Sequence, residues 1–144
     1  MLLNNSHNDP EINRKINDLV GHPYSLLDRL KMKGIGSPKL RITKASMHIY
    51  NLLQLDQNTN TCNIELRPKG IILAFQKRLE TYVLVIPYYK LSIYKGSSNE
   101  YSFHKDTYFI KILAPPLDAS IHKFVSRIMS EKKKQQPTSL DDLL

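Results

Sequence analysis

Five histidines, one cysteine and a scatter of carboxylates are the side chains here with the most chemistry to offer, and their spacing offers little. His7, His22, His48, His104 and His122 stand far apart. None forms the HxH, HExxH or Cys-His spacing that sets ligands on one helix face or one hairpin. A metal site would have to be assembled by folding alone, and no metal or cofactor is expected. Cys62 lies in the alternating run Cys62, Ile64, Leu66, where a thiol packs as a small apolar group rather than attacks. No Gly-x-Ser-x-Gly elbow is present to expose a serine nucleophile. The glycines of Gly34-Ile35-Gly36-Ser37-Pro38 lack the Gly-Lys-Ser/Thr ending of a Walker A loop and read as a chain break. Glu65, Glu80, Glu100 and Asp106 fall at strand edges or turns, where carboxylates pair with nearby lysines in water. No residue is assigned a catalytic role, and the chain reads as a binding protein rather than an enzyme.

Two groups of side chains have the chemistry of binding. Arg67, Lys69, Lys77 and Arg78 sit in successive turns, where forked and point-charge cations hold phosphate. Consecutive turns of an antiparallel sheet lie at opposite ends, however, so the four cannot all converge. Tyr82, Tyr88, Tyr89, Tyr94, Tyr101 and Tyr108 bring together aromatics with polar tips, as protein interfaces do. Tyr88, Tyr89 and Tyr94 join the four cations as candidate binding residues. Tyrosines half-buried on a two-faced sheet would give the same spacing. If Val83 and Val85 face outward while Leu84 and Ile86 face inward, an outer apolar strip is left exposed, which favours self-association or a partner. The net charge of +8 is spread along the chain, and only Lys132-Lys133-Lys134 forms a run. Solvated surface charge accounts for it, with nucleic acid and anionic lipid as the alternative partners.

The elements that must position these groups are mostly strands. Thr81 to Ile86 is rich in β-branched and aromatic residues, which pack well on a pleat and lose rotamers in a helix. Pro87 gives no ladder hydrogen bond and ends that strand; Leu91 to Lys95 alternates again, and Gly96-Ser97-Ser98-Asn99 turns. Upstream, the alternation of Cys62 to Leu66, the turn Pro68-Lys69-Gly70 and the run Ile71 to Phe75 predict a hairpin, with a polar turn at Gln76 to Glu80. Downstream, Tyr101 to Lys105 and Tyr108 to Leu113 flank a turn at Asp106-Thr107. Interrupted alternation through Leu40, Ile42, Ala45, Met47 and Ile49 predicts one or two strands between Lys39 and Leu53, before a polar loop at Asp56 to Asn60. About seven short strands at hairpin spacing, with no helix-length interruption over 61–113, imply an antiparallel sheet bent into a barrel or sandwich.

Helices are expected at both ends. Asp9 caps a helix with Pro10 at its first position; Ile12, Ile16, Leu19 and Val20 form its stripe and Gly21 closes it. A second helical segment follows His22-Pro23, with Leu26, Leu27 and Leu30 on one face and Gly34 as terminator. Pro115-Pro116 stops the last strand, Asp118 caps, and Ile121, Phe124, Val125, Ile128 and Met129 repeat at helical spacing. Burying those five is worth at most on the order of 10 kcal/mol, so this helix must pack on the sheet.

An antiparallel sheet of about seven strands capped by a C-terminal amphipathic helix resembles the pleckstrin-homology-like (PH-like) fold, above all the bacterial PH-like and GRAM-type domains. The residues carrying the likeness are Ile64-Glu65-Leu66-Arg67-Pro68-Lys69-Gly70-Ile71, Val85-Ile86-Pro87-Tyr88 and the helix from Ala119 to Met129, within 61–131. The resemblance implies a non-catalytic scaffold that binds peptides, lipid headgroups or copies of itself; in lipid-binding relatives, basic residues of the first hairpin loop hold the headgroup. The α+β reading is thus an N-terminal helical extension (1–38), a PH-like domain (39–134) and a flexible tail (135–144). The expected function is protein–protein interaction or homo-oligomerisation. A single cysteine and the lack of a signal-like or membrane-spanning run place the protein in the cytoplasm as an expectation.

Overall fold

The computed structural model describes residues 1–53, 60–77, 79–96 and 99–135. It is an α+β fold with an eight-stranded, fully antiparallel sheet: β1 (Leu2–Asn4), β2 (Leu40–Ala45), β3 (Thr61–Arg67), β4 (Gly70–Lys77), β5 (Glu80–Pro87), β6 (Ser92–Lys95), β7 (Glu100–Lys105) and β8 (Tyr108–Leu113). The order is β1-β5-β4-β3-β2-β8-β7-β6, leaving β1 and β6 as edges. Two meanders share β2, which pairs with β3 on one side and β8 on the other. Both halves turn their inner residues into one core, Leu73 and Leu84 from the first and Phe103 and Ile110 from the second. The sheet is therefore bent around that core. The predicted hairpin is present in register, Arg67 opposite Gly70 and Cys62 opposite Phe75. Pro87 ends β5 opposite Gly70, and a 3-10 turn (Tyr88–Lys90) leads into β6.

Where a barrel or sandwich was expected the sheet is open, ending at β1 and β6, and two further expectations are refined. The stretch from Lys39 to Leu53 holds one strand, β2, followed by a helix, α3 (Met47–Leu53). Ile49 and Leu53, four apart, are buried there while Met47 is exposed, so the relevant period was helical. The interruption in the alternation is a β-bulge between Ile42 and Lys44. The strand count is eight because Leu2–Asn4 pairs with β5, within the 1–38 segment expected to be a helical extension.

α1 (Pro10–Val20) begins and ends as its sequence requires. Asp9 accepts from the Glu11 amide at 2.9 Å, and Gly21, at φ +88°, donates to Asn17 O. Ile16 and Val20 lie on Ile72, Val83 and Val85, forming a second small core on the outer face of β4 and β5. α2 (Leu26–Lys31) is capped by Ser25, whose hydroxyl accepts from the Asp28 amide. α4 (Ala119–Gln135) is capped by Asp118 and buries Ile121, Phe124, Val125 and Ile128; Met129, expected in that stripe, lies at its margin and is 43% exposed. His122 ties α4 to the sheet: its Nε2 lies 2.9 Å from Pro115 O, which can only accept, so Nδ1 accepts from the Tyr101 hydroxyl at 2.8 Å. Residues 136–144, most of the expected tail, lie outside the described residues.

Candidate functional site

The candidate cations do not gather. Arg67 is buried beneath α1: its Nη1 donates to Asn17 Oδ1 at 3.0 Å and Gly21 O at 2.9 Å, and its Nε pairs with Glu65. These bonds hold the end of α1 against the β3–β4 hairpin and spend the charge internally. Lys69 is exposed in that hairpin turn, and Lys77 is at the far end of β4, roughly 23 Å away along the strand. Arg78 lies outside the described residues.

The tyrosines divide. Tyr88 is buried, donates to Arg67 O at 3.2 Å, and has its phenol pushed up by that burial. It is part of the core, and so is Tyr101. Tyr82 and Tyr108 are half-buried, while Tyr89 and Tyr94 face solvent. Val83 and Val85 do face away from Leu84 and Ile86, but the strip they form is not exposed, because α1 covers it. Cys62 is buried, and burial alone pushes its thiol up to about 12, which keeps it protonated at neutral pH. Among the described residues no three His, Cys, Asp or Glu side chains stand close enough to hold a metal ion.

Of the candidate residues, Lys69, Tyr88 and Tyr89 do line one small pocket of about 320 Å³, beside Asp18 and Leu19. Three further surface features remain. A cleft of about 830 Å³ runs between α1 and the segment around Ser37, floored by Ile72, Ala74 and Val83 and rimmed by Asn5, Asn13, Asn17 and Asn63. No histidine, cysteine or lysine lines it, and its cations are engaged: Arg67 as above and Arg29 with Tyr24 O at 3.1 Å. The second feature is α2. Leu26, Leu27 and Leu30 are 76%, 70% and 71% exposed on one short helix whose last turn carries Arg29 and Lys31, with Lys33 just beyond. The periodicity predicted this helix and its leucine face; it could not reveal that, among the described residues, no other element packs on that face.

The third is the outer face of β6, β7 and β8. The His104 ring stacks on Phe109 at 5.3 Å and meets Tyr94 edge-on at 5.0 Å. Its Nε2 lies 3.0 Å from Ser102 Oγ. Burial, then the nearby Lys111 ammonium, hold the imidazole below its ordinary value of 6.5. The folded protein thus resists a proton that the unfolded chain accepts, so stability is lost as pH falls through about 6.5 and the loss levels off below the folded value. His104→Phe keeps a ring on Phe109 and removes this term. Its melting temperature relative to the parent chain is expected to rise between about pH 7.5 and about pH 5.5, read by circular dichroism; a constant difference would mean that His104 titrates alike in both states.

No protein-family model matches this chain, and neither the curated proteins nor the solved structures contain a significant match to it. Among the described residues no helix is long and apolar enough to cross a membrane.

Proposed function

We propose that this chain is a non-catalytic binding module of the PH-like type, which docks a second protein through the leucine face of α2. The strand order supports the PH-like part: two antiparallel meanders share β2, and the last helix fills the core between them. The exposed leucine triad carries the protein-binding part. Burying a leucine is worth about 1.5 to 3 kcal/mol, so covering three offers a partner several kcal/mol, and exposed apolar clusters with polar rims mark interaction surfaces. Lys31 and Lys33 outnumber the helix's one acid, Asp28, and suit a partner with an apolar groove and acidic edges. The engaged cations of the α1 cleft, and its lining without histidine, cysteine or lysine, favour binding over catalysis. Anionic lipid has less support, because Arg67 is spent on the fold and Lys69 and Lys77 are held far apart.

A photoreactive residue at Leu27, compared with one at Leu117, tests this in the native cell. Leu117 is 97% exposed but stands alone. A protein adduct from position 27 and none from 117 is the expected result, and its mass distinguishes a partner from a second copy. Equal yields at both positions, or none, would overturn the proposal.

A further inference from the structure

The bulge in β2 has a consequence for charge. A regular strand that turns Ile42 inward would turn Lys44 inward as well; the extra residue lets Ala45 stay on the core side while Lys44 points out. There Lys44 stands directly opposite Lys111 of β8. Like charges opposed across two strands repel, and among the described residues neither ammonium has a carboxylate within ion-pair reach. The acid on this face, Glu100, accepts from the Thr43 hydroxyl. Glu100 lines one shallow pocket with both lysines, so two ammoniums there face a single carboxylate that is bonded to Thr43 and pairs with neither. In the same surface, two residues along β8 from Lys111, lies Phe109 with His104 stacked on it and Tyr94, 59% exposed, beyond. The helices pack elsewhere: α1 covers β4 and β5, and α3 and α4 fill the inner core.

We infer that this sheet face binds single-stranded nucleic acid, with bases on Tyr94, His104 and Phe109 and phosphates on Lys44 and Lys111. From β6 across to β2 the face spans about 14 Å. Aromatics on an open sheet face stack two or three bases irrespective of sequence, and lysines beside them track the backbone. Duplexes keep their base faces inside the stack and meet only the lysines. An acidic protein would satisfy the lysines but leaves the ring row without a role.

The test is fluorescence anisotropy of the whole chain with labelled pyrimidine single strands of about 12 nucleotides, RNA and DNA, and with the corresponding duplex, from about 50 to about 200 mM salt. Single strands are expected to bind at the low-salt end and more tightly than duplex. Tyr94→Ala is expected to weaken binding about tenfold. Lys44→Gln with Lys111→Gln is expected to flatten the slope of log affinity against log salt by about 0.7 per lysine. All three positions are at the surface, so unchanged melting curves check the fold, and Leu27→Ser should leave oligonucleotide affinity untouched, separating this site from the α2 surface. Absent single-strand binding at low salt, equal affinity for duplex, or affinity indifferent to Tyr94→Ala and to the lysine pair would each overturn the inference; the last would assign binding to the diffuse positive charge.

Discussion

Gly70→Ala is expected to lower the unfolding free energy by about 3 kcal/mol, seen as a lower urea midpoint at unchanged slope. A Cβ at this position would run into the Ile86 carbonyl oxygen and the Val20 side chain and would lie 2.9 Å from Pro87 Cα. Two of these are backbone atoms at the end of β5, which pairs there with Gly70 and Ile71 of β4 and cannot shift without disturbing that ladder. The third belongs to α1. If strain is relieved by lifting α1, Ile72, Val83 and Val85 become exposed, and the variant should bind more of a hydrophobic dye than the parent. A midpoint equal to the parent's would mean that helix and sheet are not held this close.

Arg67→Met is expected to cost about 2 to 3 kcal/mol. The substitution keeps much of the aliphatic stem but removes the donors to Asn17, Gly21 and Glu65, and it leaves the Gly21 carbonyl and the Glu65 carboxylate without their cation. Adding Glu65→Leu should recover only a small part of the loss, because the Glu65 side chain is 39% exposed and water can replace its cation, whereas the Asn17 and Gly21 acceptors still lack their donor. Arg67→Lys should not rescue, since a single ammonium cannot reproduce the fork that reaches helix and hairpin together. A double-mutant cycle in urea measures the coupling. If Arg67 were a ligand-binding residue with no structural duty, all of these variants would keep parental stability.

The two residues mark where sequence reasoning stopped. Gly70 was legible as a turn residue between two strands, but its closeness to Val20 joins positions fifty residues apart. Arg67 carries the same signal as any turn arginine, and a hydrogen-bonding fork buried beneath a helix resembles a phosphate-binding fork until the helix is placed. The tyrosines behave alike: Tyr88 and Tyr89 are neighbours of one type, one in the core and the other in water. The broken alternation around Thr43 was visible, but whether it meant a second strand or a bulge depended on the pairing of Lys44 with Lys111.

The sequence by itself determined the elements with strong local signals: the Asp9–Pro10 start and Gly21 end of α1, the β3–β4 hairpin, the stop at Pro87, and the amphipathic run of α4. Caps, turn residues and periodicity act within a few residues of each other, so they are written in the order of the chain. Tertiary structure alone decided which apolar faces are covered. The Val83–Val85 strip and the Leu26–Leu30 stripe are equally apolar in sequence, yet α1 lies on the first and no helix lies on the second among the described residues. Burial depends on what packs from elsewhere in the chain, and this is why the surface left for a partner could be found only once the fold was known.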